Sequence, residues 1–147
     1  MPLKEDLKKA MLDATRARDQ VLLDTVRSVH SAICYKEIDK RSPLTEPEII
    51  SVIAILCKQR RESIEQFQKG GRQDLADKEF RELGILEKFL PPQLPREEIK
   101  TIIEKIIGEL GATSKKDMGR VIKAAMEKLA GAADGSTVSE IARSLLP

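Results

Sequence analysis

Three prolines within five positions, in the stretch FLPPQLP (Phe89–Pro95), constrain this chain more than any other feature. Each proline fixes its φ at about −65° and removes a backbone N–H, and it disfavours helix in the residue before it. No helix can run through this stretch, yet apolar residues recur at helical spacing on both sides of it. The expectation is an all-α protein. An N-terminal helical bundle or hairpin of about four helices covers residues 1–90. A proline hinge follows, then a compact three-helix domain over residues 91–147.

The periodicity is explicit before the prolines. Leu3, Leu7, Met11 and Ala14 form one stripe, and Leu22, Val26, Val29 and Ile33 form another. Thr45 and Glu48 read as a capping box, with Pro47 in the first turn, where its missing N–H costs little. The following IISVIAIL is rich in β-branched residues and suits a buried strand as well. The cap and the stripe Ile49, Ile53, Leu56, Arg60, Ile64, Phe67 favour helix. Glu65 and Lys69 add a favourable i,i+4 pair, and KGG (Lys69–Gly71) ends the element. The next helix has Leu75, Leu83, Leu86 and Leu90 inward, with Asp74/Lys78 and Asp77/Arg81 outward. Gly84 inside it costs about 1 kcal/mol relative to Ala, which fits either close contact with a neighbour or simple tolerance.

After the prolines, Ile99, Ile102, Ile103, Ile106, Ile107 and Leu110 define a helix from Pro95 to about Leu110, stopped by Gly111. Ser114 opens the second, with Asp117 three residues on, near the positive end of the helix dipole. Gly131 ends it and Gly135 turns the chain. Thr137 and Glu140 read as a capping box for the third, with Val138, Ile141 and Leu145 inward.

Composition excludes several function classes. The 26 Lys and Arg nearly balance the 24 Asp and Glu, for a net charge of +2. A nucleic-acid binder of this composition must work through a local patch. The four aromatic residues, Tyr35, Phe67, Phe80 and Phe89, all precede residue 90, so the last third offers no ring for an unpaired base to stack on. Cys34 and Cys57 read as buried free thiols of a reducing cytoplasm. His30, the one histidine, supplies no zinc-type spacing, so no metal and no cofactor is expected. It reads as a partly exposed helix histidine. Cys34 follows it by one turn, but the pair lacks the third group that nucleophilic catalysis requires. No phosphate loop and no G-x-S-x-G elbow occurs. Acidic residues interrupt the N-terminus, and the longest apolar run, Ile49–Cys57, is far short of the roughly 20 residues that span a bilayer. The expectation is a soluble cytoplasmic protein with no membrane partner and no catalytic residues.

Two basic constellations remain. KQRRES (Lys58–Ser63) reads first as a solvated helix face. In KKDMGRVIKAAMEK, Lys116, Arg120 and Lys123 share one helical face and span roughly 10 Å, the reach of two or three phosphates. Lys115 and Lys128 flank them. Gly119 sits among these charges, where it is disfavoured by about 1 kcal/mol. Either a neighbouring helix or an RNA backbone approaches it there.

KQRRES, FQKGGRQDLADKE, ELGILEKFLPPQL and the run from ELGATSKKDMGRV to GAADGSTVSEIARSLL together resemble the YqeY family, small all-helical cytoplasmic bacterial proteins. The resemblance covers essentially the whole chain. The part after the prolines also resembles the C-terminal tail of the B subunit of tRNA-dependent amidotransferases. Those enzymes use glutamine as amido-nitrogen donor in carbon–nitrogen ligation, and their tail contacts tRNA without a catalytic residue. The matching positions are Gly119, Val121, Lys123, Gly131, Ala133 and Val138. Related tails place Ser or Thr before the helix that follows the prolines; here Pro95 stands there. The resemblance implies a non-catalytic accessory module that binds tRNA or structured RNA through Lys115, Lys116, Gly119, Arg120, Lys123 and Lys128. The alternative is a helical protein–protein adaptor whose N-terminal helices dock a partner.

Overall fold

A computed structural model describes residues 2–147. Among the described residues there are seven α-helices and no strand: α1 (Pro2–Ala17), α2 (Gln20–Lys40), α3 (Glu46–Lys69), α4 (Gln73–Glu87), α5 (Arg96–Leu110), α6 (Met118–Leu129) and α7 (Gly135–Leu145). A 3-10 turn, Lys115–Asp117, precedes α6. The chain forms two compact units, one ending at Leu90 and one spanning Pro91–Pro147.

In the first unit α1, α2, α3 and α4 close on a core that includes Leu3, Leu7, Val26, Val29, Ile33, Ile49, Ile53, Cys57, Leu83 and Leu86. IISVIAIL is helical, because the Thr45–Glu48 capping box starts it. Glu48 N–H donates to Thr45 Oγ1 at 3.4 Å, and Thr45 N–H donates to Glu48 Oε1 at 3.2 Å. Ion pairs join the helices: Lys4–Glu37 and Lys40–Glu48, both at 2.6 Å, and Arg61–Glu87 at 3.2 Å. Each partly exposed pair contributes about 0–1 kcal/mol, whereas each fully buried Ile or Leu contributes about 1.5–3 kcal/mol. The apolar core therefore decides the fold, and the ion pairs add little to it.

Several local expectations need correction. Cys57 is fully buried, and burial pushes its thiol up to about 11, but Cys34 is exposed. Cys34 follows the core residue Ile33, and one residue along a helix is a turn of about 100°. Its Sγ lies 3.6 Å from His30 Nε2, on the outer side of α2. Gly84 has no neighbouring atom within 4 Å of where a Cβ would sit, so it serves no close helix contact. Asp74 and Asp77 bond Arg72 and Gln73, residues at the start of α4, and not the cations one turn ahead.

The second unit buries Ile99, Ile103, Ile106, Val121, Ala125, Leu129, Val138 and Ile141. Helix α5 starts after Pro95 without a side-chain cap and ends at Gly111, where φ is 64°. The cap of α7 is Asp134, not Thr137: the Asp134 carboxylate accepts the Thr137 N–H at 2.7 Å. Glu140 reaches Arg96 at 3.3 Å instead. Gly135 is the first residue of α7 and does not turn the chain. Leu129 ends α6, and the reversal is made by Ala130, at φ 44°, with Gly131, at φ 88°. The second half of the proline stretch is tied to this reversal. Leu94 N–H donates to the Ala132 carbonyl at 2.9 Å, and Gln93 Nε2 donates to the Gly131 carbonyl at 2.8 Å.

Candidate nucleic-acid interface

Ser114, Thr113 and Asp117 build the entrance to α6. Ser114 Oγ accepts the Lys116 N–H at 3.3 Å and starts the 3-10 turn. The turn places Lys115 and Lys116 just before the helix, so α6 itself begins at Met118 and Gly119 is its second residue. Lys115 N–H donates to the Pro147 carbonyl at 3.2 Å, which fixes the turn's backbone and leaves both lysine side chains outside.

Asp117 caps no helical N–H. One of its oxygens accepts the Thr113 N–H at 3.1 Å and the other accepts Arg120 Nη2 at 2.8 Å. The Arg120 guanidinium and the Thr113 amide hold this carboxyl below its ordinary range. Arg120 keeps its remaining N–H donors, and its side chain is 60% exposed. The i,i+3 spacing of Asp117 and Arg120 is the sequence signal for this pair, and the carboxylate orients the arginine.

Lys115, Lys116, Gly119, Arg120, Lys123 and Lys128 are all exposed. Gly119, Arg120 and Lys123 share the face of α6 opposite Val121, Ala125 and Leu129, which are buried. Lys128 does not join them, since five residues beyond Lys123 is about 140° around the helix. Glu127, four residues after Lys123, falls on the shared face and limits the basic patch at that end. Apart from its own helix backbone and chain neighbours, nothing lies within 4 Å of a Cβ built on Gly119. A neighbouring helix therefore does not account for this glycine.

Of the six positions Gly119, Val121, Lys123, Gly131, Ala133 and Val138, the fold accounts for four. Val121, Ala133 and Val138 are buried, and Gly131 takes a left-handed φ. Gly119 and Lys123 are exposed and bear no packing role.

The KQRRES segment is engaged within its own unit. Arg60 Nε lies 2.8 Å from Glu82 and 3.3 Å from Glu79, both on α4, and the Arg60 side chain is only 19% exposed. Arg61 pairs with Glu87, also beyond the end of its own helix. Arg60 and Arg61 thus tie α3 to α4, while Lys58, Gln59, Arg61 and Glu62 remain exposed, as a solvated helix face has them. Among the described residues no group of three or more His, Cys, Asp or Glu side chains is placed to hold a metal. No described helix is long and apolar enough to cross a membrane.

The sequence profile of a family described as "Yqey-like protein" matches residues 4–146. A relative from Kluyveromyces lactis, "Altered inheritance of mitochondria protein 41, mitochondrial", is 42% identical over 111 residues, 74% of this chain and 58% of the relative. The protein of the same name from Clavispora lusitaniae is 35% identical over 131 residues, 87% of this chain and 74% of the relative. An "Uncharacterized protein C22F3.15" from Schizosaccharomyces pombe is 32% identical over 89 residues, 60% of this chain and 72% of the relative. The chain thus spans less than two thirds of the Kluyveromyces protein's length.

Proposed function

The chain belongs to the YqeY-like family, and from that premise we propose that it is a non-catalytic accessory module that binds tRNA or another structured RNA, related to tRNA amidotransferase machinery. The observation that carries this reading is the outer face of α6. Gly119 lies open there beside Arg120 and Lys123, just after Lys116 of the preceding turn, with no neighbouring element near its missing side chain. A glycine inside a helix is disfavoured by about 0.5–1 kcal/mol relative to alanine, so it needs a reason. Close approach of a sugar–phosphate backbone supplies one.

The chemistry is electrostatic. Lysine and arginine neutralise phosphates and release counterions, while the absence of aromatic residues after Phe89 argues for folded RNA read by backbone and shape. Three or four phosphate contacts give a log–log salt slope of about −2 to −4. The test is fluorescence anisotropy of labelled tRNA at several salt concentrations. The double variant Arg120→Glu/Lys123→Glu is expected to bind more weakly and to lose about two of that slope. Gly119→Ala is expected to weaken binding while stabilising the fold by about 0.5–1 kcal/mol. Superimposable curves for wild type and the double variant would falsify the assignment. The alternative, a helical adaptor without RNA binding, draws on the exposed apolar residues Tyr35, Ile38 and Ile55.

A further inference from the structure

On the outer side of α2 stand two metal-ligating side chains, His30 and Cys34. They are four residues apart, so they lie one above the other on one face of the helix. Both are exposed, and Cys34 Sγ lies 3.6 Å from His30 Nε2. Cys57, the other cysteine, is fully buried with its thiol pushed up to about 11, so it offers no ligand. The next carboxylate along α2 is taken as well. Glu37 accepts Lys4 Nζ at 2.6 Å and the Leu44 N–H at 3.4 Å.

The separation of the two ligand atoms selects a geometry. Imidazole nitrogen and thiolate sulfur are ligands that Zn2+ takes at about 2.0–2.1 Å and about 2.3 Å. At those lengths a tetrahedral angle sets nitrogen and sulfur about 3.5–3.6 Å apart, and a linear arrangement about 4.3–4.4 Å apart. The observed 3.6 Å is the tetrahedral bite. Tetrahedral zinc takes four ligands, and among the described residues no third His, Cys, Asp or Glu joins this pair. One chain therefore supplies half a site. The same pair from a second copy completes a set of two cysteines and two histidines, a closed structural zinc set, and two thiolates neutralise the charge of the ion. A two-fold axis presents the pair twice, because each copy offers the same patch. Ile38, four residues beyond Cys34 and 70% exposed, extends this face and gives the contact an apolar margin. We propose that His30 and Cys34 form half of a zinc site, closed by the same two residues of a second copy across a two-fold axis. Each thiol gives up its proton as its sulfur bonds the metal, so two protons leave for each Zn2+ taken up and no electron is transferred.

Sedimentation of the full chain tests this, with a non-thiol reductant present and Zn2+ as the only metal added. With a chelator the mass is expected to be 16.4 kDa. Half a molar equivalent of Zn2+ should raise it to twice that value, and excess chelator should reverse the rise. Cys34→Ser and His30→Ala should each abolish the zinc-dependent rise. Both positions are exposed, and far-UV helix signal checks that each variant folds. Co2+ in place of zinc should give the visible absorption of a tetrahedral ion with a thiolate charge-transfer band, and Cys34→Ser should lose that band. A chain that zinc leaves at 16.4 kDa through about 1 mM overturns the proposal. So does a rise that survives in either variant, or a doubled mass that persists in excess chelator. One Zn2+ bound per chain without association overturns it as well.

Discussion

Ala130 shows how one backbone dihedral redirects a chain. Helix α6 stops at Leu129, and Ala130 then takes φ 44° and ψ 50°. An L-residue with a Cβ pays about 1–2 kcal/mol in that region, whereas glycine pays almost nothing. Gly131 follows at φ 88°, so the sequence places glycine one residue after the position that closes the helix. Ala130→Gly is expected to stabilise the second unit by about 0.5–1 kcal/mol, part of the gain being offset by the freer unfolded chain. Urea unfolding of the two proteins checks this through a higher midpoint at an unchanged slope. At the same scale, the side that Cys34 faces was not legible. Cys34 and Cys57 both stand in apolar-periodic segments, and only the closure of α2 against the other helices separates the exposed thiol from the buried one.

Helix α3 carries the clearest sequence signal of any element. Its capping box joins Thr45 and Glu48, residues three apart, so the bonds form within one turn whatever surrounds them. The tertiary fold adds Lys40, whose Nζ donates to Glu48 at 2.6 Å. Hydrogen bonds from Lys40 first, and then from Thr45, lower the Glu48 carboxyl from an ordinary 4.5 to about 2. The folded value lies below the unfolded one, so the charged form is favoured by folding. Its contribution is complete above the ordinary 4.5 and is lost as pH falls through about 2. Stability measured by urea midpoints is expected to decline over that window, and Glu48→Gln to flatten that part of the profile. An unchanged acid limb in Glu48→Gln would sink the assignment. Other element-level readings depended on partners far along the chain. Arg60 reads as part of an apolar stripe in sequence, yet it is held by Glu79 and Glu82 of α4. At α7 a stronger cap, Asp134, precedes Thr137 and takes over the start of the helix.

The molecule consists of two units, each with a core of its own. A separate core gives each unit its own source of stability, so residues 91–147 are expected to fold as an isolated fragment with a cooperative thermal transition. A chain this short is held by only a few kcal/mol. Circular dichroism melting of the fragment checks it; a sloping, non-cooperative loss of helix signal would contradict it. What the sequence determined by itself is what acts within a turn or two: the helical periods, the capping box of α3, the break at the prolines and the glycine after α5. These follow from backbone sterics and hydrogen bonds between residues three or four apart. Tertiary structure alone decided which faces are covered. It buried Cys57 and left Cys34 outside, turned Arg60 into a clamp, cleared the space around Gly119 and left Tyr35 and Ile38 in the open. Burial is a sum over neighbours distant in sequence, and no local pattern records them.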